Sequence, residues 1–263
     1  LTAKQALLLA FNLLKNEVEN PHLEAELIVR KLSGASREEL YSKDIFVDKE
    51  ELLKLIELRK KRYPLQYILG EVEFYSRKFI VKEGVFIPRP ETEVLIEECK
   101  KIIKGKEKII DVGTGTGVIA IVLGSLFPKA KIFAVDINPM AIELSMENAR
   151  LNNVKNIIFV RGNLLNSFKG PVDIIVSNPP YIAPGEDVYP ELRYEPQEAY
   201  LSPPDGLFHI RKIIEMGRNI LKRNGYILLE ISPALSLRLK KEYPNSTIVK
   251  DLSGKDRVFI LKN

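Results

Sequence analysis

Two short stretches of this 263-residue chain hold residue types whose spacing could do chemistry. One is Ser177-Asn178-Pro179-Pro180-Tyr181, directly after an apolar run. An amide nitrogen is a poor nucleophile, because its lone pair is delocalised into the carbonyl. The Asn178 side-chain oxygen and the Pro179 backbone carbonyl could accept both N–H bonds of a planar NH2 group. That would orient the nitrogen and draw electron density onto it as it attacks. Two prolines stiffen such a loop and remove competing backbone donors. The Tyr181 ring can pack on the planar group. No histidine or carboxylate base is required if the proton leaves after transfer, so alignment and fixed dipoles would be the main catalytic terms. Taken alone, Asn-Pro-Pro is equally a turn sequence.

The other stretch is Asp111-Val112-Gly113-Thr114-Gly115-Thr116-Gly117, between a strand pattern and a helix pattern. Glycines there permit a tight turn and close backbone approach to a ligand. A dinucleotide fingerprint would place its third glycine at position 118, which is Val118, and no Walker lysine follows. Pyrophosphate binding is therefore disfavoured. The next strand pattern ends in Asp136, where an acid can accept both hydroxyls of a ribose. Asp136 could also cap the helix that begins near Pro139. Loop and acid together point to a nucleoside ligand.

These stretches need elements to position them. Residues 1 to about 62 carry helical apolar periodicity in three segments, with turns near Pro21 and Gly34. The third ends in Arg59-Lys60-Lys61-Arg62, which reads as a solvated helix end suited to the negative end of the dipole. Val72 to Val81 alternates like a β-hairpin. From Lys108 onward strand and helix patterns alternate, interrupted by a proline-rich stretch from Pro184 to Pro204. Alternation of this kind predicts a mostly parallel sheet with helices on both faces. In such sheets ligands sit at the carboxyl ends of strands, near the point where strand order reverses. The strands before Gly113 and before Asn178 are expected to be neighbours, so both stretches face one crevice. The expected domains are a helical one over 1–66, a hairpin linker over 67–87 and an α/β domain over 88–263.

The D-x-G-x-G-x-G form resembles S-adenosylmethionine-dependent methyltransferases. Within them the chain closely resembles the HemK/PrmC family, the glutamine methyltransferases of peptide chain release factors. The resemblance rests on Pro64 to Gly70, Phe74-Tyr75, Ile87-Pro88-Arg89-Pro90-Glu91-Thr92-Glu93, Asp111 to Gly117, Asp136, Asn178 to Tyr181, Arg193 to Pro196 and Asp205-Gly206-Leu207. It spans roughly positions 60 to 263. It implies a Rossmann-like methyltransferase sheet preceded by a small helical domain that recognises the substrate. It implies that Gly113, Thr114, Gly115, Thr116, Gly117, Asp136, Ile137 and Asn178 bind the cofactor, with Asp111 near its cationic end. Asn163 and Leu164 fall at the adenine, although Asn163 also suits a turn, and Phe86 packs against the cofactor. Asn178, Pro179, Pro180 and Tyr181 bind the substrate glutamine of a Gly-Gly-Gln loop, with Asn178, Pro179 and Tyr181 carrying catalysis. The tip of a class I release factor is expected to enter between the domains. Arg89 is expected to be structural, through Glu91 or Glu195. Many relatives carry an Asp and an aromatic where this chain has Asn163-Leu164.

Composition excludes other classes. Cys99 is the single cysteine and the chain has 2 histidines, which argues against a disulfide framework and against a cysteine or histidine metal site. No apolar run is long enough to span a bilayer. Lys plus Arg is 40 against 35 for Asp plus Glu, a charge of +5 without a concentrated basic tract. The expectation is a cytoplasmic, monomeric enzyme with a protein substrate, no membrane contact and no nucleic-acid partner. The main alternative is a methyltransferase acting on an exocyclic base amine, since that amine and a glutamine amide are both planar NH2 groups. It would need base flipping and a positive tract. A non-enzymatic nucleoside-binding module is the third reading, opposed by the intact Asn178 stretch.

Overall fold

In the computed structural model, which describes residues 1–263, the chain divides into two compact units. One comprises Leu1–Glu71 with Tyr189–Tyr194, and the other Val72–Val188 with Glu195–Asn263.

The first unit is helical: α1 (Ala3–Leu14), α2 (Pro21–Ser33), α3 (Arg37–Ser42), α4 (Lys49–Lys60) and α5 (Leu65–Leu69). Its core is Ala6, Ala10, Leu14, Ile28, Leu40, Leu52 and Ile56, all fully buried. The apolar spacing predicted α1, α2 and α4. Helix α3 is an addition, and its signal was local: Ser36 and Glu39 form a reciprocal capping box. The Arg59–Arg62 cluster departs from the expected solvated helix end. The Arg59 side chain is only 7% exposed and pairs with Glu24 and with Glu191, the latter 3.0 Å away. Glu191 also takes Arg62 at 2.8 Å, and the Tyr194 hydroxyl donates to the Lys61 carbonyl at 2.8 Å. A guanidinium can be buried when its fork is matched by carboxylates. Those carboxylates come from distant sequence, which is why local charge counting missed them.

The second unit opens with a hairpin of β1 (Glu71–Phe74) and β2 (Arg77–Ile80), followed by α6 (Glu93–Ile102). Then come β3 (Lys108–Val112), α7 (Val118–Leu126), β4 (Lys131–Asp136), α8 (Pro139–Leu151), β5 (Ile157–Arg161) and β6 (Val172–Ser177). The chain closes with α9 (Phe208–Arg218), β7 (Leu221–Glu230), α10 (Ser236–Glu242), β8 (Thr247–Lys250) and β9 (Asp256–Lys262). The 7-stranded sheet runs β5-β4-β3-β6-β7-β9-β8. Its first five strands are parallel, and β9 is antiparallel to both β7 and β8. The central strands are apolar on both faces, as burial under helices on both sides requires. Strands β3 and β6 are direct neighbours, pairing Val112 with Ser177. The order reverses between them, as the two stretches required. Strand β7 begins at Leu221, which pairs with Val172 of β6. Asn148 on α8 secures the hairpin: its Oδ1 accepts from the Ile80 N–H at 2.7 Å and its Nδ2 donates to the Ile80 carbonyl at 3.0 Å.

Candidate active site

The glycine loop joins β3 to α7 and turns under positive φ at Gly113 (70°), Gly115 (55°) and Gly117 (86°). Its glycines do two different jobs. A Cβ on Gly113 or Gly115 would meet nothing within 4 Å, so their backbone faces open space. A Cβ on Gly117 would lie 2.9 Å from Ser145 Cβ and 2.9 Å from Ile121 Cδ1, so this glycine lets α7 and α8 close together.

Four of the loop N–H groups are already used. Gly113 and Thr114 both donate to the Val135 carbonyl (2.8 and 2.9 Å), and Gly117 donates to the Thr114 carbonyl at 2.8 Å. The Gly115 N–H donates to Asp136 Oδ2 at 2.9 Å. A phosphate cradle needs convergent free N–H groups, and these four are spent within the protein.

Asp136 ends β4. Its Oδ1 accepts from the Asn138 N–H at 2.9 Å, and Asn138, rather than Asp136, caps α8. Each carboxylate oxygen keeps lone pairs for a further donor. Burial raises its pKa above the usual aspartate range, against the lowering effect of the N–H bonds from Asn138, Gly115 and Ile137.

A cavity of about 680 Å³ opens at the carboxyl ends of β3, β4 and β6. Its walls include Phe86, Gly113, Thr114, Gly115, Thr116, Asp136, Ile137, Asn163, Leu164, Asn178 and Pro180. Four residues expected at the site, Asp111, Gly117, Pro179 and Tyr181, are not among the lining residues. Asp111 is fully buried beneath the loop. Its Oδ2 accepts from the Thr114 hydroxyl at 2.6 Å and from the Ala120 N–H at 3.2 Å, so it ties the loop to α7. Its Oδ1 has no partner. Burial pushes the carboxyl up to about 7.

Asn178 follows β6 directly. Ser177 anchors it by donating its hydroxyl to the Val112 carbonyl at 2.6 Å, joining the ends of β3 and β6. Beyond Tyr181 the chain is clamped. The Ile182 N–H donates to the Tyr200 carbonyl (2.9 Å), and the Ser202 N–H donates to the Ile182 carbonyl (2.8 Å). A Cβ on Gly206 would stand 2.6 Å from the Tyr181 carbonyl, so this turn also presses on the site segment. Arg89 pairs with Glu195, which also accepts from the Ile87 N–H at 2.8 Å, and its guanidinium lies 4.7 Å from the Phe86 ring centroid. Of the two carboxylates weighed for Arg89, Glu195 is the partner.

Sequence reasoning passed over several lining residues: Thr92, Glu198, Phe208, His209 and Lys212. His209 Nδ1 lies 2.9 Å from the Ser202 hydroxyl, and burial lowers its pKa. It also passed over Glu230, which sits fully buried at the end of β7. A signal existed for it: an acid inside the apolar run Leu228-Leu229-Glu230-Ile231 marks a buried charge with an assigned partner.

The sheet and its cavity define a Rossmann-like methyltransferase. Solved structures with the same fold include a ribosomal protein L11 methylase from Lactobacillus delbrueckii subsp. bulgaricus, with a TM-score of 0.51 and 20% identity, covering 72% of this chain and 88% of that one. A methyltransferase from Pyrococcus furiosus aligns with a TM-score of 0.53 and 17% identity, covering 72% and 89%. Residues 77–192 match the methyltransferase small domain, and residues 5–70 match the PrmC N-terminal domain. The release factor glutamine methyltransferase of Fusobacterium nucleatum is 39% identical over 94% of this chain and 75% of its own length. That of Thermodesulfovibrio yellowstonii is 39% identical over 91% of both. The chain belongs to the HemK/PrmC family of release factor glutamine methyltransferases.

Proposed function

We propose that this protein transfers a methyl group from S-adenosylmethionine to the side-chain amide nitrogen of the glutamine in the Gly-Gly-Gln loop of class I release factors. The observation that carries this reading is a single cavity walled by both the glycine loop with Asp136 and the Asn178 segment. The cavity suits this cofactor on three counts. Its volume is in the range of small-molecule sites. Asp136 presents carboxylate lone pairs for a ribose. The N–H groups of Gly113, Thr114, Gly115 and Gly117 are spent within the protein and are not available to a phosphate, a group this cofactor lacks. When bound, S-adenosylmethionine supplies an electrophilic methyl carbon on a sulfonium.

The rest is done by the chain. Asp136, Gly113 to Gly117, Ile137, Asn163, Leu164 and Phe86 hold the nucleoside part. Asn178 Oδ1 and the Pro179 carbonyl accept the two amide N–H bonds of the glutamine. This fixes the amide plane, so that one face of the nitrogen is turned to the methyl carbon, and it stabilises the positive charge that grows on nitrogen. Pro180 stiffens the segment and Tyr181 supports it. The proton leaves after methyl transfer, so no base with a matched pKa is needed.

Labelled methyl transfer tests the reading, with an intact class I release factor, its Gly-Gly-Gln to Gly-Gly-Ala variant, bulk RNA and DNA offered side by side. Label on the intact factor alone is the expected result. Label on nucleic acid with none on the factor would move the substrate to a base amine. We place the activity in the cytoplasm, where release factors work.

We assign substrate recognition to the helical unit. It exposes Leu8 at 64%, Leu23 at 55% and Phe46 at 73%, yet holds none of the cavity-lining residues. Phe46→Ser is expected to raise the KM for the release factor several-fold and to leave S-adenosylmethionine affinity unchanged. An unchanged KM for Phe46→Ser, Leu8→Ser and Leu23→Ser alike would refute the assignment.

A further inference from the structure

From the cavity wall inward, four polar side chains form one chain of hydrogen bonds. Asn178 Nδ2 donates to Thr92 Oγ1 at 3.1 Å, and the Thr92 hydroxyl donates to Glu230 Oε2 at 2.6 Å. The Tyr181 hydroxyl donates to the other carboxylate oxygen, Oε1, at 3.1 Å. Thr92 is 2% exposed and Glu230 is 1% exposed. Thr92 comes from the turn that opens α6, and Glu230 ends β7, the neighbour of the strand that carries Asn178.

The direction of this chain has one consequence for the site. A carboxylate can only accept hydrogen bonds. Ionised Glu230 therefore takes the hydroxyl protons of both Thr92 and Tyr181. Thr92 Oγ1, its proton spent, can offer Asn178 only a lone pair. The Asn178 amide must then turn its NH2 edge to Thr92 and its oxygen to the opposite side. An amide can otherwise flip at little cost, since its two ends are nearly the same shape. A flipped Asn178 would present donors to a substrate NH2 group, which would repel it.

We propose that Thr92 and Glu230 are positioning residues that set which end of the Asn178 amide faces the substrate nitrogen. This rests on the glutamine-methylation reading above. Burial raises the Glu230 pKa, while Thr92, Tyr181 and the charge of Arg257 lower it and Glu91 raises it further. A buried carboxylate at the end of an apolar run costs free energy unless its bonds return it. Here both oxygens are bonded, and both bonds lead to the Asn-Pro-Pro-Tyr segment.

The test compares wild type with Thr92→Val, Thr92→Ser and Glu230→Leu. Each is measured for kcat and KM on an intact class I release factor, and for S-adenosylmethionine affinity by calorimetry. Thr92→Val keeps the shape but removes the hydroxyl, so kcat is expected to fall about ten-fold or more, the worth of one buried hydrogen bond. Its KM and cofactor affinity should stay within about two-fold, an effect that a loss of packing alone would not confine to kcat. Thr92→Ser restores the hydroxyl and should restore kcat. Glu230→Leu removes both acceptors and frees the Thr92 proton to be offered to Asn178, so the direction is no longer set and kcat should fall. Should Thr92→Val fail to fold, Glu230→Leu still decides the matter. Unchanged kcat in Glu230→Leu, or equal losses in Thr92→Val and Thr92→Ser, overturns positioning while wild-type activity upholds the methylation reading. An inactive wild type overturns that reading and this proposal with it.

Discussion

Asn178→Ala is expected to lower turnover on the release factor by about 10²-fold or more, equivalent to about 2.7 kcal/mol of transition-state stabilisation. The size follows from what the side chain is asked to do. The substrate nitrogen has almost no nucleophilicity while it is conjugated with its carbonyl. The Asn178 oxygen must hold its N–H bonds in one direction while charge develops. The supporting structure makes that oxygen a fixed dipole, not a mobile one: Ser177 ties the preceding residue to β3, and the Asn178 amide is bonded to Thr92. A fixed dipole needs no reorganisation as charge develops, which is where most of the gain in such sites arises. Cofactor affinity should change far less than kcat, because Asp136 and the glycine loop remain. Single-turnover methyl transfer on the intact factor, beside calorimetry of cofactor binding, reads both numbers. Turnover within two-fold of wild type would remove Asn178 from its catalytic role.

The second large effect concerns stability. Asp111 lies fully buried, with one oxygen held by Thr114 and Ala120 and the other without a partner. Burial moves its carboxyl from an ordinary 3.8 to about 7. The folded state therefore binds this proton more tightly than the unfolded chain does. Below about pH 4 both states are protonated and nothing is lost. As pH rises toward about 7 the unfolded chain ionises freely while the folded protein resists, so stability falls across that window. The full effect is on the order of 4 kcal/mol, at about 1.4 kcal/mol for each tenfold step. Asp136, Glu195 and Glu230 also have raised values and add effects of the same sign, so wild type alone cannot isolate Asp111. Asp111→Asn can, because it keeps one acceptor for Thr114 and Ala120 and cannot ionise. Denaturant unfolding at pH 5 and pH 8 is expected to show the variant gaining on wild type by a few kcal/mol at the higher pH. Parallel pH profiles for the two proteins would show that Asp111 is not the source.

The residues proposed to contact ligand were readable from spacing. A glycine loop between a strand and a helix, an acid ending the next strand and Asn-Pro-Pro-Tyr after a later one are local patterns. Each is specified within a few residues of chain, so position along the sequence is enough. Gly113, Gly115, Asp136 and Asn178 accordingly line one cavity. The alternation of strand and helix likewise implied a parallel sheet, because each crossover needs a helix.

Other features depended on the folded chain. Asp111 belongs to the glycine motif but lies beneath it, since its side chain turns to Thr114 and Ala120 and away from the cavity. Arg59 reads as an exposed helix end until Glu24 and Glu191 meet it. Thr92 is 86 residues from Asn178 and 138 from Glu230, and only the order of the sheet brings the three together. The sequence by itself determined the family and the glycine loop, Asp136 and Asn178 that line one cavity, all carried by local spacing. Which way the Asn178 amide points was decided by the tertiary structure alone, because hydrogen-bond direction depends on partners far apart in the chain.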